Sequence, residues 1–467
     1  MICLGFGWSH VVTSSAMSGE MLRNMKNPES ISYSYLLGKA WPIILANAAV
    51  PLLGLVDTAV IGNVGSVTDL GAIAFGALIF SFVYWSFGFL RMGTTGSVAQ
   101  ALGADNQIEI RAVLGRALVL AVGLGLLLIL MQWPIRLIAL ALLDGSTPVE
   151  EVTQQYFNIR IWGAPATLAT FALMGVLIGL GNSRQLLLVQ LFLNGLNIGL
   201  DIYFAGVLGW GAAGIALGTI IAEWSAVIFA IWLIARELNS RSTDGSDFWP
   251  ISRLLDSASL KKMLSANRDI MVRTLLLVSS FGFFINQSAQ FGDVVLAANH
   301  ILLQLISFAA FFLDGYAFVV ESLVGSSLGA KRRDSFDIAV KRSSILALVT
   351  ASVLALLLLL FGDLAVAVLT DIEPVQAAAQ GSIFLAAIYI FFSFAAYQLD
   401  GIFIGASFTS QMRNAALLSI AVFLLAWWLL MESFGTSGLW SAMIIYVAAR
   451  AGALLLFYPA LKKSIDA

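Results

Sequence analysis

The chain has 467 residues, of which 60% are hydrophobic and only 11% are charged, and its mean hydropathy is +0.92. A soluble domain of this size would lack the polar residues to cover its surface, so the composition excludes one and indicates a polytopic, all-α membrane protein. The net charge of −2 identifies no partner, because in a membrane chain the placement of charges matters and their sum does not. Cys3 is the one cysteine, which excludes an internal disulfide or a cysteine metal site.

Residues 1–34 are expected to be a cytoplasmic tail, since they lack the basic segment, apolar core and cleavage site of a signal peptide. At about 20 apolar residues per crossing, the rest of the chain predicts twelve transmembrane helices. Six are expected near residues 36–62, 68–102, 110–142, 155–180, 184–208 and 211–236. Six more are expected near residues 269–291, 294–329, 341–369, 381–407, 412–432 and 437–461.

Two pairs of similar segments divide the chain into halves. GSVAQALGA at 96–104 reappears as SLVGSSLGA at 322–330, and LMGVLIGLG at 173–181 reappears as LDGIFIGAS at 399–407, both at an offset of 226 residues. The repeat predicts two parallel six-helix lobes, residues 35–236 and 268–462, joined by a polar cytoplasmic linker at 237–267. This organisation is typical of secondary transporters.

Lysine and arginine residues concentrate on one side of the predicted helices. They lie mainly in the linker and after the eighth helix: Arg236, Arg241, Arg253, Lys261, Lys262, Arg268, Lys331, Arg332, Arg333, Lys341 and Arg342. The opposite connections hold almost none, with Arg136 and Arg160 as exceptions. Because basic residues favour the cytoplasmic side, we expect both termini to be cytoplasmic and the chain to be a multi-pass protein of the inner (plasma) membrane.

Ionisable residues inside the helices are few, and each needs a partner, an aqueous cavity or neutralisation. Asp57 and Asp201 lie on outward-running helices, on the order of 10 Å below the outer surface, and Thr219 falls in the same layer. Asn197 precedes Asp201 by four residues and shares its helix face. Two carboxylates in apolar surroundings favour proton binding, whereas the same oxygens could hold sodium. A packing network with no role in transport is the third interpretation.

Other charged residues are expected inside the helices as well. Glu223 is one candidate for a polar site. Arg91 is expected either to pair with an acidic residue such as Glu321 or to act in transport. Arg450 lies about 11 residues from the cytoplasmic end of its helix and is expected to snorkel to the surface.

Four motifs carry a family resemblance over roughly residues 35–460. VDTAVIG at 56–62, NGLNIGLD at 194–201, FLDGYAFVVESLVG at 312–325 and LDGIFIGAS at 399–407 resemble the multidrug and toxic compound extrusion (MATE) family, most of all its DinF-like branch. The resemblance implies a cation- or proton-coupling site in the N-terminal lobe. The matching residues are Asp57, Asn197, Asp201 and Thr219.

Two departures from the family pattern bear on the site. Met174 stands where some relatives carry Asn, which weakens a full transfer of their N-lobe network to this chain. Some relatives also carry a Glu in the seventh helix, and its absence here argues against a cation site centred on that helix. The C-terminal lobe still offers a secondary polar group of Asp314, Glu321 and Asp400.

Pro51 is a predicted hinge, because it removes a helical hydrogen bond about two turns before Asp57. We expect a monomeric transporter without cofactor, metal or nucleic-acid partner that exports amphipathic, often cationic molecules in exchange for protons. Sodium coupling at the same site is one alternative. A lipid-linked oligosaccharide flippase is another, although Arg91 is nearly the only basic residue expected in the cavity. An intramembrane enzyme would need a nucleophile and base or a metal set, and no such motif is present.

Overall fold

The computed structural model describes residues 27–143, 145–241 and 248–465. These residues are almost entirely helical and contain no β-strand. Most of the expected tail lies outside them. The first long helix begins at Tyr33, because the side chain of Ser32 accepts a hydrogen bond from the backbone N–H of Tyr35 and caps the helix.

Six long apolar helices form the first half of the chain: α1 (Tyr33–Val64), α2 (Val67–Gly103), α3 (Gln107–Leu130), α4 (Thr147–Gly179), α5 (Ser183–Val207) and α6 (Gly211–Arg241). The second half contains α7 (Ser257–Ala289), α8 (Asp293–Gly329), α9 (Arg333–Leu369), α10 (Ile383–Gly405) and the stretch Thr409–Lys463. Several carry breaks: α2 turns at 86–88, α4 contains a 3₁₀ turn at Ile161–Gly163, and α5 ends in a π-helical turn at Ile202–Val207.

The stretch Thr409–Lys463 is two helices. At Gly435 the backbone has φ 54° and ψ −129°, which breaks the helix and is accessible to glycine. We therefore separate α11 (409–434) from α12 (436–463), since a straight helix of this length would measure about 80 Å, far more than a bilayer is thick. The described part of the chain thus has the twelve crossings that the sequence predicts.

Some boundaries differ from those expected. The third predicted helix, 110–142, is two helices, because α3 ends at Leu130 and a short helix covers Gln132–Leu143. The expected linker, 237–267, is helical at both ends. Glu237 pairs with Arg241 at 2.9 Å and so extends α6, while Asp256 caps α7 by accepting from the backbone N–H of Ser259 at 2.8 Å.

The outer surface of the helices suits a lipid environment. Large apolar side chains along α9 are exposed, among them Leu356, Leu360, Leu364 and Val368. A soluble protein would not leave such a stripe uncovered, whereas lipid chains solvate it at no cost. The chain is therefore a multi-pass membrane protein.

The backbone repeats at the same interval of 226 residues as the sequence. Left-handed φ angles occur at Asp105 (53°) and Lys331 (54°), and again at Gly181 (71°) and Ser407 (57°). Gly175 packs against the carbonyl oxygen of Arg91, and 226 residues later Gly401 packs against that of Ala317. These matching turns and helix crossings agree with two related lobes.

The two lobes meet on the side of the molecule where the linker lies. A Cβ on Gly103 would collide with the carbonyl of Ser326, and one on Gly329 would collide with that of Gln100. The Gln100 side chain also donates from Nε2 to the carbonyl of Gly405 at 2.9 Å. Helix α2 of one lobe therefore packs backbone to backbone against α8 of the other lobe, and its Gln100 side chain binds the end of α10.

Candidate functional site

Asp57 of α1 and Asp201 of α5 face one another inside the N-terminal lobe. Their carboxyl groups lie close enough that a single proton could be shared between them. Asp201 is fully buried, whereas Asp57 is partly accessible. Gly218 of α6 makes room for Asp201, because a Cβ there would collide with its Oδ1. The two residues that the sequence placed at one depth are thus neighbours.

Asn197 and Thr219 complete the cluster. The Asn197 Nδ2 donates to Thr219 Oγ1 at 3.3 Å, and the Thr219 hydroxyl donates to the carbonyl of Ile215 at 2.9 Å. Asn197 lies one turn before Asp201 on α5, so its amide lies next to the carboxyl pair and links α5 to α6. All four N-lobe residues singled out from the sequence are together.

The cluster is rich in acceptors and poor in donors. Among the described residues, no donor reaches Asp57 Oδ1, either oxygen of Asp201, or Asn197 Oδ1. Buried acceptors without donors are costly, so such a site gains free energy by taking up a proton or a cation. Within the described part of the chain, no group of three or more His, Cys, Asp or Glu residues could hold a metal ion.

The proline hinge predicted in α1 lies beside this cluster. Pro51 is inside the helix, and just before it the carbonyl of Ala49 accepts a hydrogen bond from Asn194 Nδ2 of α5 at 3.0 Å. The bond ties α1 to the helix that carries Asp201. A change in the angle of α1 at Pro51 would therefore alter the positions of both carboxylates.

A buried ion pair that the sequence did not reveal lies next to the cluster. Arg160 of α4 forms two hydrogen bonds with Glu223 of α6, at 2.9 and 2.5 Å. From the sequence, Glu223 was one of the ionisable residues inside the helices that need a partner, and Arg160 was an exception on the outer side. The sequence signal for this pair was that two opposite charges lie at similar depth. Depth alone, however, does not show which sides of the helices are in contact.

The C-terminal lobe differs from expectation. Asp400 Oδ2 accepts from Arg273 of α7 and, at 2.7 Å, from Arg450 of α12. The prediction that Arg450 snorkels to the surface is wrong, because its guanidinium binds Asp400 inside the lobe and only 11% of its side chain is exposed. Asp400 is neutralised by two guanidinium groups and is therefore a poor cation ligand.

Asp314 lies within electrostatic range of both Glu321 and Asp400, but arginine residues lie among these three acids. Glu321 pairs with Arg91 of the other lobe at 3.3 Å, which confirms the ion pair weighed from the sequence. The Arg91 guanidinium also lies 3.9 Å from the centre of the Phe318 ring. Asp314 lies within electrostatic range of Arg91 and Arg273. The secondary polar group of Asp314, Glu321 and Asp400 therefore contains arginine partners as well as acids.

Arg91 is not the only arginine inside the helices, although the sequence indicated that it is nearly the only basic residue in the cavity. Arg160 and Arg273 are buried and Arg450 is largely so, but each of the three binds a carboxylate. Paired guanidinium groups leave little free positive charge for a phosphate, so the case against a lipid-linked substrate now depends on this pairing.

Comparison with known proteins agrees with the fold and the motifs. The family model MatE matches residues 42–203 and 270–428, which is more than half of the chain. The chain belongs to the MatE family. It is similar to the DNA damage-inducible protein F of Escherichia coli (strain K12), with 36% identity over 415 residues that cover 88% of each chain. MatE proteins are transporters, so the chain is a membrane transporter and not an enzyme.

More distant MatE proteins are similar along nearly the whole chain. A probable multidrug resistance protein NorM of Pasteurella multocida is 26% identical over 443 residues, covering 90% of this chain and 92% of the relative. A crystal structure described as MATE in the bent conformation superimposes with a TM-score of 0.84 at 17% identity, covering 96% and 99% of the two chains. At that identity the structure shows the shared fold alone.

Proposed function

We propose that the chain exports amphipathic, often cationic organic molecules in exchange for protons, and that Asp57, Asn197, Asp201 and Thr219 form the coupling site. The observation that carries the proposal is the facing pair of carboxyl groups, whose buried oxygens have no donor among the described residues. A proton bound between them removes both the repulsion and the unsatisfied acceptors. The name of the NorM relative, a probable multidrug resistance protein, agrees with export.

A proton suits this cluster better than sodium. Hard cations take about six oxygen ligands. The cluster offers four buried oxygens without a donor, and the Thr219 hydroxyl is already engaged with Ile215 and Asn197. Met174 of α4, at the position where some relatives carry Asn, brings a thioether, a ligand that suits soft metals.

Coupling requires that proton binding change the shape of the cavity. We infer that a proton from outside neutralises the carboxyl pair, that α1 then bends at Pro51, and that the substrate loses its contacts. Helix α5 follows α1 because Asn194 binds the carbonyl of Ala49. The similar structure that is described as bent belongs to another MATE protein, and bending of α1 here is part of the proposal.

The site also supports a location and an orientation. We propose that the chain acts as a monomer in the inner (plasma) membrane with both termini in the cytoplasm. The exposed Lys261, Lys262, Arg332 and Arg333 all lie on the linker side, where the positive-inside rule puts the cytoplasm. The Asp57–Asp201 pair then belongs to the outer half of the bilayer, from which a proton enters.

Ion substitution in vesicles tests the proposal. Purified protein in liposomes, with ethidium as the amphipathic cation, should drive ethidium transport under an imposed pH gradient without sodium. A sodium gradient at equal pH on both sides should drive none. If transport needs sodium and ignores the pH gradient, the same four residues form a cation site and proton coupling is wrong.

A further inference from the structure

The ion pair of Arg160 and Glu223 is built into the wall of the N-terminal lobe. Both residues are more than nine-tenths buried, and both guanidinium Nη atoms bind the two carboxylate oxygens. Arg160 ends the first segment of α4, where the helix changes into the 3₁₀ turn Ile161–Gly163. Gly163 leaves space for the pair, since a Cβ there would press on both charged groups.

Aromatic rings complete the enclosure. The Arg160 guanidinium lies 5.3 Å from the ring centre of Phe80 and 5.6 Å from that of Tyr84, both on α2. In such a dry site a charge is screened weakly, and its field reaches further than it would in water. Because breaking a buried pair is costly, the pair keeps a fixed geometry.

The pair is adjacent to the proposed coupling site. Glu223 follows Thr219 by four residues on α6, so the two share one face of the helix. Thr219 in turn accepts from Asn197, one turn from Asp201. From α4, the charge of Arg160 also acts on the Asp57 carboxyl group.

Few other charged or titratable groups face the carboxyl pair. The buried Tyr156 of α4 lies within electrostatic range of both carboxyl groups, whereas Tyr84 of α2 lies against Arg160 of the ion pair. Asp69, near the start of α2, is held by Ser66 and by the backbone N–H of Ala212. From the other lobe, α8 packs on α1 at Gly315, beside Asp314 and against Ile44, more than three turns from Asp57.

We propose that Arg160 and Glu223 are positioning residues that set the pH at which Asp57 and Asp201 take up their shared proton. A lone Arg160 would hold both carboxylates ionised, and a lone Glu223 would favour their protonation. Together they offset each other, which leaves the proton affinity of the carboxyl pair where a membrane pH gradient can load and unload it. This inference rests on the proposed proton coupling.

An infrared titration of the purified protein tests the inference without a substrate. The band of the protonated carboxyl group is followed against pH in sodium-free buffer and is assigned by its loss in Asp57→Asn and Asp201→Asn. Glu223→Gln leaves Arg160 unpaired, so the midpoint should move to lower pH by about one unit. Arg160→Gln should move it to higher pH. The double substitution, neutral like the natural pair, should return it close to the wild-type midpoint.

A reversed pair, Arg160→Glu with Glu223→Arg, covers the case in which the single substitutions do not fold. It keeps a buried ion pair but puts a negative charge at position 160, so the midpoint should rise. If the midpoints of the folded variants all coincide with that of the wild type, the pair is only structural and the inference is wrong. If the wild type has no titrating carboxyl band that depends on Asp57 and Asp201, the proposed proton site itself fails.

Discussion

Asp57→Asn and Asp201→Asn should each reduce pH-driven ethidium transport to the level of empty liposomes. An amide has nearly the shape of a carboxyl group but cannot exchange a proton in the transport cycle, so coupling is lost while packing is kept. Asp201 is fully buried and has no donor among the described residues, so we expect its substitution to reduce transport more than that of Asp57. Initial transport rates in sodium-free liposomes are the measurement.

Asp105→Asn is the matched control for these substitutions. Asp105 is an exposed residue of the same lobe with φ 53°, a conformation that Asn tolerates well. Its transport rate should equal that of the wild type. Transport at the wild-type rate by a folded Asp57→Asn or Asp201→Asn protein would rule out the pair as the coupling site.

Gly103→Val should abolish transport through the contact between the lobes. The position of Gly103 against the carbonyl of Ser326 leaves no room for a side chain, and a rotamer change cannot relieve a clash with backbone. Valine therefore keeps α2 and α8 apart on the linker side, and the close crossing of the two lobes cannot form. We expect monodisperse protein that transports at the background rate.

Gly123→Val controls for the loss of a helical glycine. Gly123 is exposed on α3 and has open space around its Cα, so valine should be accepted there without loss of transport. Transport by Gly103→Val at more than half the wild-type rate would show that the close crossing is not required in the cycle.

The sequence predicts much of this fold because the bilayer imposes simple rules. Helix number follows from apolar length, and the turn near Gly435 follows from the polar residues that interrupt two apolar runs. The prediction of one helix over 110–142 missed the break at Met131, although Gln132 and Pro134 directly after it are a signal, because a proline cannot donate a helical hydrogen bond.

The sequence could predict how deep the site residues lie in the membrane, but not which helix faces contact one another. Asp57, Asp201 and Thr219 could be placed in one layer by counting residues from helix ends. Arg160 and Glu223 are 63 residues apart in the chain, and only the packing of α4 on α6 brings their side chains together. Distance from a helix end also gave the wrong environment for Arg450, because the position of Asp400 on a neighbouring helix face decides it.

Proton release on substrate binding tests the central claim most directly. Ethidium is added to purified protein in weakly buffered, sodium-free detergent solution, at a pH near the midpoint of the carboxyl titration, and a pH indicator records the protons released. The exchange mechanism predicts release from the wild type, and none from Asp57→Asn or Asp201→Asn proteins that still bind ethidium. Ethidium binding to the wild type without proton release, or equal release from the two variants, would contradict it.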